Sequence, residues 1–287
     1  MNRIEKKFYP GWLAFPGLLV YIIIFVVPTF ASFYFSMTTW NLKTAVFTGT
    51  QNFVTFFTMT STRSALVNTL VYAFATCALK LTLGLLLANY ICSGIRSGSY
   101  LKLMVYFPTL LGNVAVGIAF QSILAPEGVV NQALAGAGFE AVRWLTDARY
   151  ALPTCIVIDV WQGLGTATLI YIAGLCAIPK TYYEAAALDG VQGRQCFFKI
   201  TLPLMVPSIN SVLTLALIGG LRTYELIYTM TGGGPGYSTE VLGSVIYKLF
   251  ARGSYGLATA GYVILFVLVS CIVYPLNSFV TKKEVDL

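Results

Sequence analysis

Histidine is absent from this chain, and only 10% of its 287 residues are charged, against about 25% in an ordinary soluble domain. That scarcity points to lipid before any motif is read. Without histidine the chain lacks the commonest general base and a favoured element of proton relays, which weighs against a membrane hydrolase and against a proton-coupled carrier. Cysteine is present but scattered: Cys77, Cys92, Cys155, Cys176, Cys196 and Cys271 lie singly, with no C-x-x-C spacing. Neither a metal set nor a thiol centre is implied, and the six read as small apolar packing residues. The formal net charge is +7, yet the 18 basic side chains fall in short clusters between apolar runs. They form no continuous face of the kind that binds nucleic acid, and a surface facing anionic lipid accounts for the sign better.

Apolar length is what the chain has in quantity, with 57% of its residues hydrophobic. A helix needs about 20 apolar residues to cross the hydrocarbon core. Six stretches meet that length, approximately Gly11 to Ser36, Ala65 to Ile91, Leu103 to Ala125, Leu152 to Ile178, Pro207 to Met230 and Ala258 to Thr281. The expected fold class is therefore an all-α membrane protein with six transmembrane helices. The first run is too long for a signal h-region and has no small-residue cleavage site behind it, so it is expected to stay as the first span. Pro16, Pro28, Pro108 and Pro275 fall inside the runs and are expected to mark kinks whose freed carbonyls neighbouring helices satisfy.

Lys and Arg in the short loops set the orientation. With the N-terminus inside, the cytoplasmic side holds ten of them: Arg3, Lys6, Lys7, Arg96, Lys102, Lys180, Arg194, Lys199, Lys282 and Lys283. The outside holds six, Lys43, Arg63, Arg143, Arg149, Lys248 and Arg252, spread over longer loops. Both termini are expected in the cytoplasm, as an even number of spans requires. The partition that follows is a cytoplasmic N-terminus over 1–10, a first span with its outer loop over 11–64, a core over 65–281 and a cytoplasmic tail over 282–287. Three outer segments, about 37–64, 126–150 and 231–257, mix polar and aromatic residues and are long enough to form structure of their own. The last opens on Thr231-Gly232-Gly233-Gly234-Pro235-Gly236. No Lys-Ser/Thr follows those glycines and no strand precedes them, so they read as turn chemistry rather than as a phosphate cradle.

The longest cytoplasmic segment, Pro179 to Val206, has an unusual pattern for a connection. Glu184-Ala185-Ala186-Ala187-Leu188-Asp189 reads as a short helix that Gly190 ends in a left-handed conformation. A second short helix follows from about Gln192 to Ile200, and Leu202-Pro203 then redirects the chain toward the next span. Two short helices at a bend make a compact knob suited to a groove on a soluble partner, with Glu184, Asp189, Arg194 and Lys199 as rim charges. Composition alone leaves open the plainer reading of a helix pair lying on the membrane surface.

The run Glu184-Ala185-Ala186, then Gly190, then Ile200-x-Leu202-Pro203 resembles the EAA loop of binding-protein-dependent ABC importer permeases. Every fixed position of its pattern, E-A-A-x3-G-x9-I-x-L-P, is filled. The likeness covers most of the chain. It is similar to the first permease of the carbohydrate-uptake branch, of maltose and glycerol-3-phosphate type, in Pro28 through Ser36, Trp40-Asn41, Asn52-Phe53, Asn68-Thr69 and Trp161. Thr231 to Pro235 with Ser238-Thr239 resembles the family's outer loop after the fifth span, with one glycine more than its short form. The resemblance implies the type I ABC importer permease fold and a coupling role for Glu184, Ala185, Ala186, Asp189, Gly190, Ile200, Leu202 and Pro203. It also implies a second homologous permease, two ATP-binding subunits, an extracytoplasmic solute-binding protein and a sugar or oligosaccharide as cargo, with a glycerophosphate compound as the alternative. No Walker A sequence, G-x4-G-K-[ST], occurs here, so the ATPase is expected to be a separate polypeptide and this chain non-catalytic, without a cofactor.

Charges at membrane depth are costly and usually face a cavity or a partner, which singles out Lys80, Asp159, Arg222 and Glu225. Arg222 and Glu225, three apart, are placed to pair on one helix face, either as path residues or as a structural ion pair. Asp159 lies near Trp161 and Gln162, where a sugar stacks on the indole and bonds to the polar groups, or where the three only pack the bundle. Asn113, Gln121 and Tyr224 complete the candidate path, and such polar residues also serve as interhelical glue. A secondary carrier and a membrane-embedded enzyme are the rival classes. The enzyme needs a convergent carboxylate or thiol cluster at one interface, which the sequence does not offer.

Overall fold

A computed structural model describes residues 11–282. The N-terminal segment with Arg3, Lys6 and Lys7, and the tail beyond Lys282 with Lys283, lie outside the described residues. Among the described residues, four uninterrupted helices are long and apolar enough to cross a membrane: α1 (Trp12–Ser36), α3 (Thr60–Cys92), α7 (Ala151–Ala177) and α13 (Tyr255–Thr281). Two bent pairs supply the remaining apolar length, α4 (Gly98–Leu110) with α5 (Asn113–Ile123), and α9 (Arg194–Leu204) with α10 (Val206–Leu221). Shorter elements fill the connections. They are the strands β1 (Thr38–Trp40) and β2 (Ala45–Phe47), then α2 (Gln51–Thr58), α6 (Val129–Gly136), α8 (Lys180–Leu188), α11 (Glu225–Thr231) and α12 (Leu242–Ala251). All three outer segments thus carry structure.

The third apolar stretch, Leu103 to Ala125, is bent far more sharply than the kink expected at Pro108. Its two helices meet at 97° across Leu111–Gly112. Pro108 opens a 3-10 turn over Phe107–Leu110, after which Leu111 and Gly112 are both extended. Proline supplies no N–H and the tightened turn leaves carbonyls over, so the helix ends there. The fifth stretch, Pro207 to Met230, is also divided: α10 ends at Leu221, and Tyr224, with φ −153°, breaks the path into α11. Pro275, by contrast, sits within a continuous α13. Pro28 opens the helical stretch that follows a widened π turn over Ile22–Val26.

The chain forms two compact units. The first comprises residues 11–59 and Ile246–Ile264. Its α1 buries almost nothing within the chain, with Trp12 70% and Phe30 71% exposed, as befits a helix whose solvent is lipid or another subunit. β1 and β2 pair antiparallel, Thr38 opposite Phe47. The Asn41 side-chain oxygen shapes their turn, accepting from the Lys43 and Thr44 amides and from the Thr44 hydroxyl. Asn52 donates from Nδ2 to the carbonyls of Ser36 and Thr38, each at 2.8 Å. Trp40 stacks on Phe35 with centroids 4.2 Å apart and leans on Tyr255.

The second unit holds Thr60–Val245 and residues 265–282. There α3 packs along α7 and α10. Hydrocarbon provides no hydrophobic drive for helices to associate, so close backbone approach through small residues has to supply the packing. A Cβ at Gly84 would lie 3.1 Å from that of Ala167, and one at Gly165 would lie 2.5 Å from the Val105 carbonyl oxygen. Hydroxyls inside the helices satisfy themselves locally: Thr69, Thr76 and Thr168 each donate to the carbonyl four residues back. Tyr72, Leu226, Ile227 and Met230 form one apolar core, and Tyr171, Met205 and Val212 another. Cys77 and Cys155 are buried packing residues as expected, whereas Cys92, Cys176 and Cys271 are exposed.

Gly165→Ala is expected to lower the unfolding midpoint of the detergent-solubilised protein by the equivalent of about 1–3 kcal/mol, the range of an overpacked contact. Gly219→Ala, on α10 where a Cβ meets nothing within 4 Å, is expected to unfold at or above the wild-type midpoint.

Candidate functional site

Two places in the second unit gather the residues singled out by sequence. One is the elbow formed by α8 and the start of α9. Its first helix is closed by three backbone bonds, from the amides of Asp189, Gly190 and Val191 to the carbonyls of Ala185, Ala187 and Ala186. Gly190 has φ +72° and Gly193 φ +58°, a left-handed region that costs a residue with Cβ about 1 kcal/mol or more. These two glycines reverse the chain. Tyr183 Oη lies 3.2 Å from Thr201 Oγ1 and ties α8 to α9.

The eight motif residues divide into two sets. Glu184, Ala185, Asp189 and Gly190 are exposed, whereas Ala186 is buried and Ile200, Leu202 and Pro203 are half-buried. The first set presents a surface and the second fastens it. The most exposed apolar side chain of the elbow is Leu188, at 90%, which sequence reasoning passed over because it fills a variable position of the pattern. The second helix runs over Arg194–Leu204 rather than ending near Ile200. Pro203 lies near the end of that helix, behind a widened π turn over Phe197–Thr201, and the chain redirects at Met205 with a bend of 66°.

The other place is a cavity of about 340 Å³ at the two helix breaks, lined by Thr109, Leu111, Gly112, Asn113, Asp159, Gln162, Gly163 and Glu225. Each break supplies a wall. Gln162, buried on α7, donates from Nε2 to the Leu111 carbonyl at 2.9 Å and to Asn113 Oδ1 at 3.0 Å. Asn113 in turn donates from Nδ2 to Glu225 Oε2 at 3.0 Å. The Thr109 hydroxyl donates to the Gln162 carbonyl at 2.8 Å. Irregular backbone is tolerated in a membrane only where protein or a cavity satisfies it, and this relay of amides does so.

Asp159 reaches across to Lys80 on α3, with Nζ 2.6 Å from Oδ2. Gly163, one turn along α7 from Asp159, makes the approach possible: a Cβ there would lie 2.8 Å from the Lys80 ammonium. The side chains are 12% and 21% exposed, so each ion is largely removed from solvent and depends on the other.

Of the candidate path residues, Asn113, Asp159 and Glu225 come together, joined by Lys80 and Gln162. Trp161 is next in the chain but turns aside, its ring edge-on to Phe120 at 5.2 Å. Gln121 is exposed on α5, away from the cavity lining. Arg222 and Glu225 do not share a helix face: α10 ends between them, Arg222 is exposed, and Glu225 opens α11. The pairing expected from their spacing fails because it presumes an unbroken helix. Tyr224 occupies the break itself. Thr109 and Gly163 escaped the sequence reading, although Pro108 immediately before Thr109 was a signal for the first.

The helices define a polytopic α-helical membrane protein with polar, irregular backbone inside its apolar stretches. Residues 7–282 match the family described as binding-protein-dependent transport system inner membrane component, and the chain belongs to that family. It is 31% identical to the multiple sugar-binding transport system permease protein MsmF of Streptococcus mutans over 99% of this chain and 98% of that one. It is 31% identical to the lactose transport system permease protein LacF of Rhizobium radiobacter, over 90% and 91% respectively. A chain in the crystal structure of a bacterial ABC transporter involved in the import of the acidic polysaccharide alginate superposes with a TM-score of 0.83 at 27% identity, covering 98% of this chain and 99% of that one. The protein is a multi-pass permease subunit of an ABC importer and does not itself hydrolyse ATP, which is the work of a separate subunit.

Lys80→Met and Asp159→Leu are each expected to destabilise the protein by about 2 kcal/mol, at the lower end for a broken buried pair because both groups keep some solvent. The double variant is expected to recover more than half of the summed loss. A double-mutant cycle on unfolding midpoints in detergent reads the coupling; strict additivity would show that the pair contributes nothing.

Proposed function

We propose that this permease imports a sugar or oligosaccharide delivered by an extracytoplasmic solute-binding protein, alongside a second homologous permease and two ATP-binding subunits. The observation that carries the reading is the cavity: amides and carboxylates converge within the apolar stretches where two helices break. Directional acceptors and donors of this kind suit a solute covered in hydroxyl groups. Relatives named for multiple sugars, for lactose and for alginate agree with it. Within the core of residues 65–281, Asn113, Asp159 and Glu225 contact the passing solute, with Trp161 at its margin.

The elbow is the coupling element. Its outward face, Glu184, Ala185, Leu188 and Asp189, seats in a cleft of the ATP-binding subunit: the alanine permits close approach, Leu188 is the apolar anchor and the carboxylates form the rim. Closure of the ATPase pair on ATP pulls the elbow and turns the cavity outward, and hydrolysis returns it. The termini lie in the cytoplasm, in keeping with the ten basic residues that this orientation assigns to the inner side.

Gly190→Pro is expected to cut uptake at least tenfold while the complex stays assembled in the membrane and its ATPase subunits still turn over. Proline holds φ near −65° and has no N–H for the Ala187 carbonyl, so the α8 closure cannot form. Wild-type uptake by this variant would refute the coupling role. So would failure of a cysteine at position 188 to crosslink to the ATPase subunit.

A further inference from the structure

The cavity wall has a sign. Among the described residues that line it, two are carboxylates, Asp159 and Glu225, and none is Lys or Arg. The nearby cation, Lys80, stands behind Gly163, lines a separate pocket of about 180 Å³ and is engaged with Asp159 at 2.6 Å. Counting Asp159, Glu225 and Lys80 leaves one net negative charge. The hydrogen bonds leave few donors free: Gln162 donates to the Leu111 carbonyl and to Asn113, and Asn113 spends one of its two N–H groups on Glu225. The charged groups that remain directed at a solute are carboxylates, whose oxygens only accept.

Hydroxyl groups donate readily to such acceptors. A phosphate or carboxylate on the solute carries acceptors and a like charge, so against Asp159 and Glu225 it meets both a charge and a hydrogen-bond mismatch. We infer that this permease passes uncharged polyhydroxy solutes and rejects uronates and phosphorylated solutes, with Asp159 and Glu225 as the specificity-determining residues and Lys80 held too tightly by Asp159 to serve an anion. The inference rests on the cavity lying on the solute path, as proposed above. It separates this chain from the glycerophosphate alternative that its sequence left open.

The test has two parts. Proteoliposomes holding the whole importer, with binding protein outside and ATP inside, are offered maltotriose, trigalacturonate and glycerol 3-phosphate, and the solute that copurifies with the binding protein is identified by mass spectrometry. Uncharged solutes alone are expected in both assays. An anionic solute in either overturns the charge selection, and a uronate would do so while leaving the sugar reading intact. An uncharged solute that is not a sugar overturns the cargo reading and leaves the charge selection standing. Equilibrium dialysis of the importer without its binding protein then compares retention of trigalacturonate with that of maltotriose. Glu225→Gln removes a carboxylate without touching the ion pair, and Asp159→Asn frees the Lys80 ammonium. Each is expected to raise the ratio of acidic to neutral probe about tenfold, a change that general loss of folding does not produce. A ratio unmoved in both variants overturns the inference.

Discussion

A peptide group without a partner costs several kcal/mol in hydrocarbon, and that penalty decides where this chain can be irregular. It stays helical through α3, α7 and α13 because nothing else satisfies its backbone. It breaks at Leu111–Gly112 and at Arg222–Tyr224, and the first of these breaks is supplied by a side chain from another helix, the Gln162 amide reaching the Leu111 carbonyl. The cavity follows from these interruptions. An unbroken α4–α5 span would present side chains alone to the interior, whereas the broken one turns a carbonyl, the Thr109 hydroxyl and the start of α5 toward a single volume. The proposed transport site and the fold's departure from regularity share one physical origin.

The same constraint explains which features were legible in the sequence. Apolar length is a local property, so the six hydrophobic stretches stood out, and four of them are uninterrupted helices within a few residues of the expected limits. The breaks are not local in that sense: Leu103 to Ala125 is apolar on both sides of Leu111, and hydropathy does not register a 97° turn between two apolar halves. Pro108 and Gly112 marked the place, but proline also sits in α13 with the helix continuous around it. Which outcome holds depends on whether another helix satisfies the freed groups, and that is a tertiary fact. Arg222 and Glu225 failed for the same reason, because spacing along a helix has no meaning across its end.

Site residues were legible in proportion to how far their roles are set from outside the fold. The elbow matched its pattern at every fixed position, and three of those seven residues, Glu184, Ala185 and Gly190, are exposed, held by no internal packing that would account for them. Asn52, Asn68 and Thr69, noticed only by resemblance, have internal work instead. Asn68 donates to the carbonyls of Tyr237 and Glu240, and Thr69 accepts from the Leu242 amide, so the pair, two turns inside α3, holds the segment that follows the glycine turn. Leu188 shows the limit of pattern reading. A variable position draws no notice in sequence, yet it carries the elbow's most exposed apolar side chain.

The elbow and the cavity are joined by a short, stiff stretch of chain. From α9 the backbone passes through the 66° bend at Met205 into α10, then through the break to Glu225. A free hinge at Met205 would absorb any movement of the elbow there. Met205 is fully buried, packed in the cluster that holds Ala88, Tyr171 and Val212, and interiors so packed transmit displacement rather than soak it up. Farther along, Asn210 donates to Asn277 and Thr281, and Asn277 donates to Thr214, so α10 is bonded to the end of α13 and does not slide alone. The regular ladder stops instead at Arg222–Tyr224, after the Arg222 amide donates to Ile218 and before α11 begins at Glu225. On the proposed coupling role, a displacement entering at Gly190 would be carried along α10 to Glu225, on the wall of the cavity, which is where a change of solute access would have to be made.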